Sequence, residues 1–184
     1  MDPHLIALPV FFLIAALYSS VGHAGASGYL AVMALLSFAP ETIKPASLIL
    51  NVAVAGIASW RYLRAGCFGW KVFWPLAAIA LPLAFIGGML KLPARVFAIA
   101  AGAFLIASAL LMAWRAWRRP EEREHRPMPF IAALAVGAPI GFISGIIGVG
   151  GGIFLSPVLI QGRWAGLREV SGISALFILV NSIS

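Results

Sequence analysis

From Pro127 to Gly162 the chain carries no Asp, Glu, Lys or Arg, and near the middle of that run four of the five positions from Gly148 to Gly152 are glycine. As one helix this run of about 36 residues would be roughly 54 Å long, against a bilayer core of about 30 Å. It must therefore break within the membrane, and the stretch FISGIIGVGGGIFLSPVLI (Phe142–Ile160) marks the place. Three successive glycines cost a helix ~1 kcal/mol each, more than close packing alone accounts for. Backbone released from helical hydrogen bonding survives at membrane depth only where it is buried in protein or lines a polar cavity. Ahead of the break, Gly137, Gly141 and Gly145 stand one turn apart and form a small-residue stripe suited to helix packing. A nucleotide loop does not fit: the dinucleotide pattern begun at Gly148 and Gly150 fails at Ile153, and no Lys-Ser/Thr pair follows to make a phosphate loop.

With 62% hydrophobic and 10% charged residues, the chain reads as an integral membrane protein. Its net charge of +7 sits in loops between apolar runs, which is a topological pattern and excludes a nucleic-acid footprint. Cys67 is the only cysteine, so neither an intrachain disulfide nor a cysteine metal cluster can form; no metal or other cofactor is expected. Met1, Asp2, Pro3 and His4 lack the basic character of a signal peptide, so the first apolar run reads as a retained span.

That first run, Leu5–Pro40, is also uncharged, and it has its own small-residue break from Gly22 to Gly28. A loop with Glu41 and Lys44 follows, then a span Ala46–Trp60 and a basic loop holding Arg61, Arg64 and Lys71. Spans Val72–Leu90 and Val96–Trp114 come next, joined by a turn at Lys91, Pro93 and Arg95; Ala94, Ala98 and Gly102 read as a packing stripe. Arg115–Arg126 is a solvated linker. Placing the two basic segments in the cytoplasm puts the N-terminus and Glu41 outside and Arg163 and Arg168 inside. Trp60, Trp70, Trp74, Trp114, Trp117 and Trp164 flank the same basic segments, as an interfacial belt does.

The chain repeats itself. An offset of 126 lays Gly22 on Gly148, Gly25 on Gly151 and Ala26 on Gly152; an offset of 127 lays Ser47 on Ser174, while Asn51 and Asn181 do not superpose. The first unit holds an odd number of apolar elements, so the second starts from the opposite side. The expected fold is an all-α integral membrane protein: a polytopic helical bundle with inverted repeats and glycine-broken helices. Residues 1–114 form the first repeat, 115–127 a basic cytoplasmic linker, and 128–184 a second repeat. The second repeat stops at the position matching Ile57, which leads to the expectation of about 60 further residues in a parent protein.

No acid occurs between Glu41 and Glu121 or from His125 to Arg168, so the spans offer no carboxylate to a cation. The breaks instead offer backbone N–H groups and helix N-termini around Gly22, Gly25, Gly148, Gly150, Gly151 and Gly152. Hydroxyls come from Ser27, Ser47, Ser156 and Ser174, with Asn51 and Asn181 nearby. That is anion-binding chemistry. His23 is the one titratable side chain in an uncharged run, read either as a packing residue or as a proton carrier and anion ligand.

The motif SGIIGVGGGIFLSPVLI, its partner VGHAGASGYLAVMALL, and Ser47 and Ser174 resemble the sulfite exporter (TauE/SafE) family of membrane permeases. The resemblance implies an inner-membrane carrier of sulfur-containing or small organic anions, with the lipid bilayer and the anion as its partners and its oligomeric state left open. An anion channel and a non-transporting membrane subunit are the alternatives. An enzyme is not expected, because no His/Asp/Glu constellation or Ser–His–Asp set lies at membrane depth.

Overall fold

The computed structural model describes residues 3–20, 23–90, 92–117 and 125–184. Gly22, Lys91 and most of the Arg115–Arg126 linker fall outside them. Helix α1 (Pro3–Ser20) leads into the first break and α2 (Ala26–Leu35) leaves it. Then come α3 (Pro40–Arg64), α4 (Trp70–Met89) and α5 (Ala94–Trp117). Helix α6 (Phe130–Ile147) leads into the second break, α7 (Gly152–Gln161) leaves it, and α8 (Leu167–Ile183) follows. Among the described residues Glu41–Arg64, Trp70–Met89 and Phe130–Ile147 are long and apolar enough to cross a bilayer. The protein is an all-α membrane protein.

Helices α2 and α7 have 10 residues each. That is ~15 Å, half the thickness of a bilayer core. The element after each break is therefore a half-helix. The repeat is visible in the backbone itself. Gly25 and Gly151, which precede the two half-helices, both have positive φ (88° and 72°), and Ser37 and Arg163, which follow them, share a φ of 58°. Both pairs keep the offset of 126 that aligns the two breaks.

Helix α3 begins at Pro40, so Glu41 and Lys44 lie in its first turns and not in a loop. Proline in the first turn loses no helical hydrogen bond, and Glu41 complements the positive helix end. Lys44 Nζ donates to the Gly88 carbonyl at 3.0 Å, near the C-terminus of α4, where the helix dipole favours a cation.

Two pairings build the frame. Gly137, Gly141 and Gly145 of α6 lie against Leu76, Ala80 and Ala84 of α4, so these helices run parallel, backbone against backbone; a Cβ on Gly141 would stand 2.6 Å from Ala80 Cα. That is the packing role expected of the stripe. Helices α3 and α8 run antiparallel, with Gly56 facing Leu179 and Tyr62 facing Gly172. The stripe of α5 behaves differently. A Cβ on Gly102 would meet nothing within 4 Å, and the buried face is instead Phe97, Ala101 and Phe104, packed with Ala26, Tyr29 and Leu30 of α2. The main core joins Phe73, Leu76 and Ala80 of α4 to Leu155 and Leu159 of α7 and to Ile173 and Phe177 of α8.

Candidate functional site

Helix α6 ends at Gly148, whose N–H donates to Ser144 O at 2.7 Å, and α7 restarts after Gly151. Neither α2 nor α7 has a side-chain cap on its N-terminus. Each half-helix therefore leaves its first-turn N–H groups, and the positive end of its dipole, facing a break. The Cα faces of the glycines are packed. A Cβ on Gly150 would lie 2.6 Å from Ile178 Cγ2, one on Gly151 2.8 Å from Ile140 Cγ2, and one on Gly148 2.9 Å from Lys44 Cγ. Glycine is required here by backbone conformation and by close packing, so the amide groups are what the break has to offer a ligand.

The two breaks meet through side chains. Ser156 Oγ of α7 lies 2.7 Å from Ser174 Oγ of α8 and 3.2 Å from Nε2 of His23, which comes from the first break; it also donates to Gly152 O at 3.1 Å. His23, Ser156 and Ser174 are all buried. His23 N–H is held by Tyr18 O at 2.9 Å. Ser27 Oγ pairs with Tyr18 Oη at 3.2 Å and so stands outside this cluster. Both breaks close on Ile178, which packs with Ala24 and Ala55 and faces Gly150 and Gly152.

Three further expected residues are buried with polar atoms that no group among the described residues satisfies: Ser47 Oγ and both amide atoms of Asn51 and of Asn181. The antiparallel register of α3 and α8 puts Asn181 opposite Val54, within a turn of Asn51. The two asparagines thus flank the helix crossing. The same register separates Ser47 from Ser174 by roughly 20 Å along α3, so the repeat relates these serines without bringing them together. The position matching Ser156 in the first repeat is Leu30, which leaves Ser47 without the hydroxyl partner that Ser174 has.

Sequence reasoning missed Tyr29, which is fully buried beside Phe11 with its Oη unpartnered. The signal was available, since Tyr29 lies deep in an uncharged run and away from the tryptophan belt. It also missed Ser59, buried and unpartnered on α3. Among the described residues no group of His, Cys, Asp and Glu is placed to hold a metal ion.

The family model described as "Sulfite exporter TauE/SafE" matches residues 7–184. A probable membrane transporter protein of Sinorhizobium fredii is 41% identical over 185 residues, covering 99% of this chain and 75% of that protein. A probable membrane transporter protein of Methanocaldococcus jannaschii is 28% identical over 181 residues, covering 91% of this chain and 67% of that protein. No solved structure matches.

Proposed function

The chain belongs to the sulfite exporter TauE/SafE family of membrane transporters, and on that premise we propose that it is a permease for a small anion, moved across the inner membrane by alternating access at the two broken helices. The substrate is a sulfur-containing anion, sulfite-like or an organosulfonate, or else a small organic acid. The N-terminus lies outside, residues 1–114 and 128–184 act as the two repeats, and 115–127 link them in the cytoplasm.

One observation carries this reading. The two breaks converge on buried donors with no acid among them: the Ser156–Ser174–His23 cluster, two uncapped half-helix N-termini, and the amides of Asn51 and Asn181. Each buried polar group left unpaired costs about 1–3 kcal/mol, and a ligand or water supplied during transport offsets that cost. A single helix terminus contributes at most ~2 kcal/mol toward an anion, well below its dehydration cost. Several donors must therefore act together, and the grouping of Ser156, Ser174 and His23 supports this. No carboxylate competes for the site, which disfavours Na⁺.

The test is flux into proteoliposomes, screened over sulfite, sulfate, thiosulfate, a short alkanesulfonate and small carboxylates. Saturable, counter-transport-competent uptake of one of them, sharply reduced in Ser174→Ala with normal folded yield, is the expected result. Anion flux without saturation or counter-transport would identify a channel, and no anion flux would defeat the proposal.

A further inference from the structure

Beside the first break a pocket of about 470 Å³ opens between the end of α1 and the basic end of α3, lined by Ser19, Ile57, Ala58, Arg61, Tyr62 and Ala65. Arg61 is exposed, and no carboxylate among the described residues pairs with it. Its neighbour Arg64 is engaged differently, with its guanidinium 4.5 Å from the centre of the Trp60 ring. Arg61 is thus a cation that lines the pocket, whereas Arg64 is an interfacial anchor. One turn ahead of Ala58 on α3, Ala55 packs with Ala24 of the first break and Ile178 of α8. By the register of α3 against α8, Arg61 lies at the depth of Ser174.

We propose that this pocket is an entry site for a small oxyanion on the basic face, with the Arg61 guanidinium as its ligand. The inference rests on the permease reading and adds a second binding site to it. Guanidinium is planar and presents paired N–H donors that match two oxygens of a sulfonate, sulfite or carboxylate. Tyr62, whose side chain carries a phenol, lines the same pocket. At ~30 Å³ per water the pocket has room for about fifteen waters, so an anion enters it still partly hydrated. Loss of that hydration is deferred to the inner cluster, where many donors converge. The ordinary role for an arginine at a helix end is topological, and Arg64 serves as the internal control for that role.

The experiment labels Ser19→Cys, a nearly isosteric change, in the full chain carrying Cys67→Ser, with two methanethiosulfonate reagents, one ending in a sulfonate and the other in trimethylammonium. The sulfonate reagent should react faster, and methanesulfonate should slow it. Adding Arg61→Gln should cut the sulfonate-to-ammonium rate ratio roughly threefold, the scale expected when one nearby charge acts on two oppositely charged reagents in water with physiological screening. Arg64→Gln should leave the ratio nearly unchanged. Equal effects of the two arginine changes, or no protection by methanesulfonate, would overturn the entry site. Labelling reads the pocket without flux, so a chain that transports no anion defeats the permease reading while this result is judged separately. Where transport is measured, Arg61→Gln should raise KM from the basic face with little change in maximal rate.

Discussion

Replacing Asn51 with leucine should make the protein more stable and unable to transport. Asn51 is fully buried, and neither its amide nitrogen nor its amide oxygen has a protein partner. Each such atom costs about 1–3 kcal/mol, so an apolar side chain of similar shape removes a gross penalty of ~2–6 kcal/mol. Leucine at a site packed for asparagine returns about 1–3 kcal/mol as strain. The net expectation is a gain of ~1–3 kcal/mol, and at roughly 2–4 °C per kcal/mol for a chain of this size the melting temperature rises by several degrees. Thermal unfolding in detergent, read by the loss of monodisperse protein, gives the first quantity, and proteoliposome flux gives the second. Ser59→Ala provides the control. Ser59 Oγ is likewise buried and unpartnered, but two turns further toward the basic end of α3. That change should stabilise modestly and leave flux intact. If Asn51→Leu lowers the melting temperature, the amide is a structural hydrogen-bonding group; if it keeps flux, the amide is not a substrate ligand. Either result refutes the reasoning.

Gly141→Ala should destabilise by ~1–3 kcal/mol, because the added methyl group collides with the backbone of Ala80, whereas Gly102→Ala, with nothing within 4 Å, should be neutral or stabilising by up to ~1 kcal/mol; equal unfolding shifts for the two would show that the α4–α6 stripe is not a tight interface. Cys67, in the loop between Arg64 and Lys71, should resist an impermeant thiol reagent in intact cells and react once the membrane is opened, and rapid labelling from outside would reverse the orientation. His23→Gln keeps a donor and an acceptor within reach of Ser156 but cannot titrate, so any pH dependence of flux that runs through this side chain should be lost while binding persists; an unchanged profile would give His23 a packing role.

The breaks and the repeat were legible in one dimension because both are written in backbone-demanding residues. Gly25 and Gly151 hold positive φ at matching positions, and the offset between them can be read without coordinates. The stripe Gly137–Gly141–Gly145 was equally legible, since only a helix face against another backbone needs three absent side chains in a row. The start of α3 was misplaced because charge was taken as the sign of a loop, although Pro40 followed by Glu41 is a helix-start signal that outranks it. The stripe on α5 misled for a related reason: small residues permit close packing without dictating it, and Phe97 and Phe104 decided which face was buried. Ser47 and Ser174 posed a different problem. Their equivalence is a property of the repeat, but their separation follows from where two antiparallel helices cross, and no single-chain pattern encodes that.

The repeat makes the frame symmetric while leaving its chemistry unequal, and this inequality bears on how the breaks could work. The residue matching Ile178 in the first repeat is Asn51, the one matching Ser156 is Leu30, and the one matching His23 is Val149. The second break therefore has hydroxyls at its half-helix and an isoleucine against its glycines; the first has a histidine in the break and an asparagine at the isoleucine's equivalent place. The backbones match at Gly25 and Gly151, which share positive φ, but not at Gly150 and its counterpart Ala24, where only the glycine has positive φ. Ile178 packs against the glycines of the second break while Asn51 is buried near the helix crossing with an amide that no described residue pairs, so the two half-sites differ in polarity; under the permease proposal, that difference is what would let a bound anion shift an equilibrium between two arrangements. Under that proposal, the position shared by Ile178 and Asn51 is where the two half-sites would differ in function as well as in side chain.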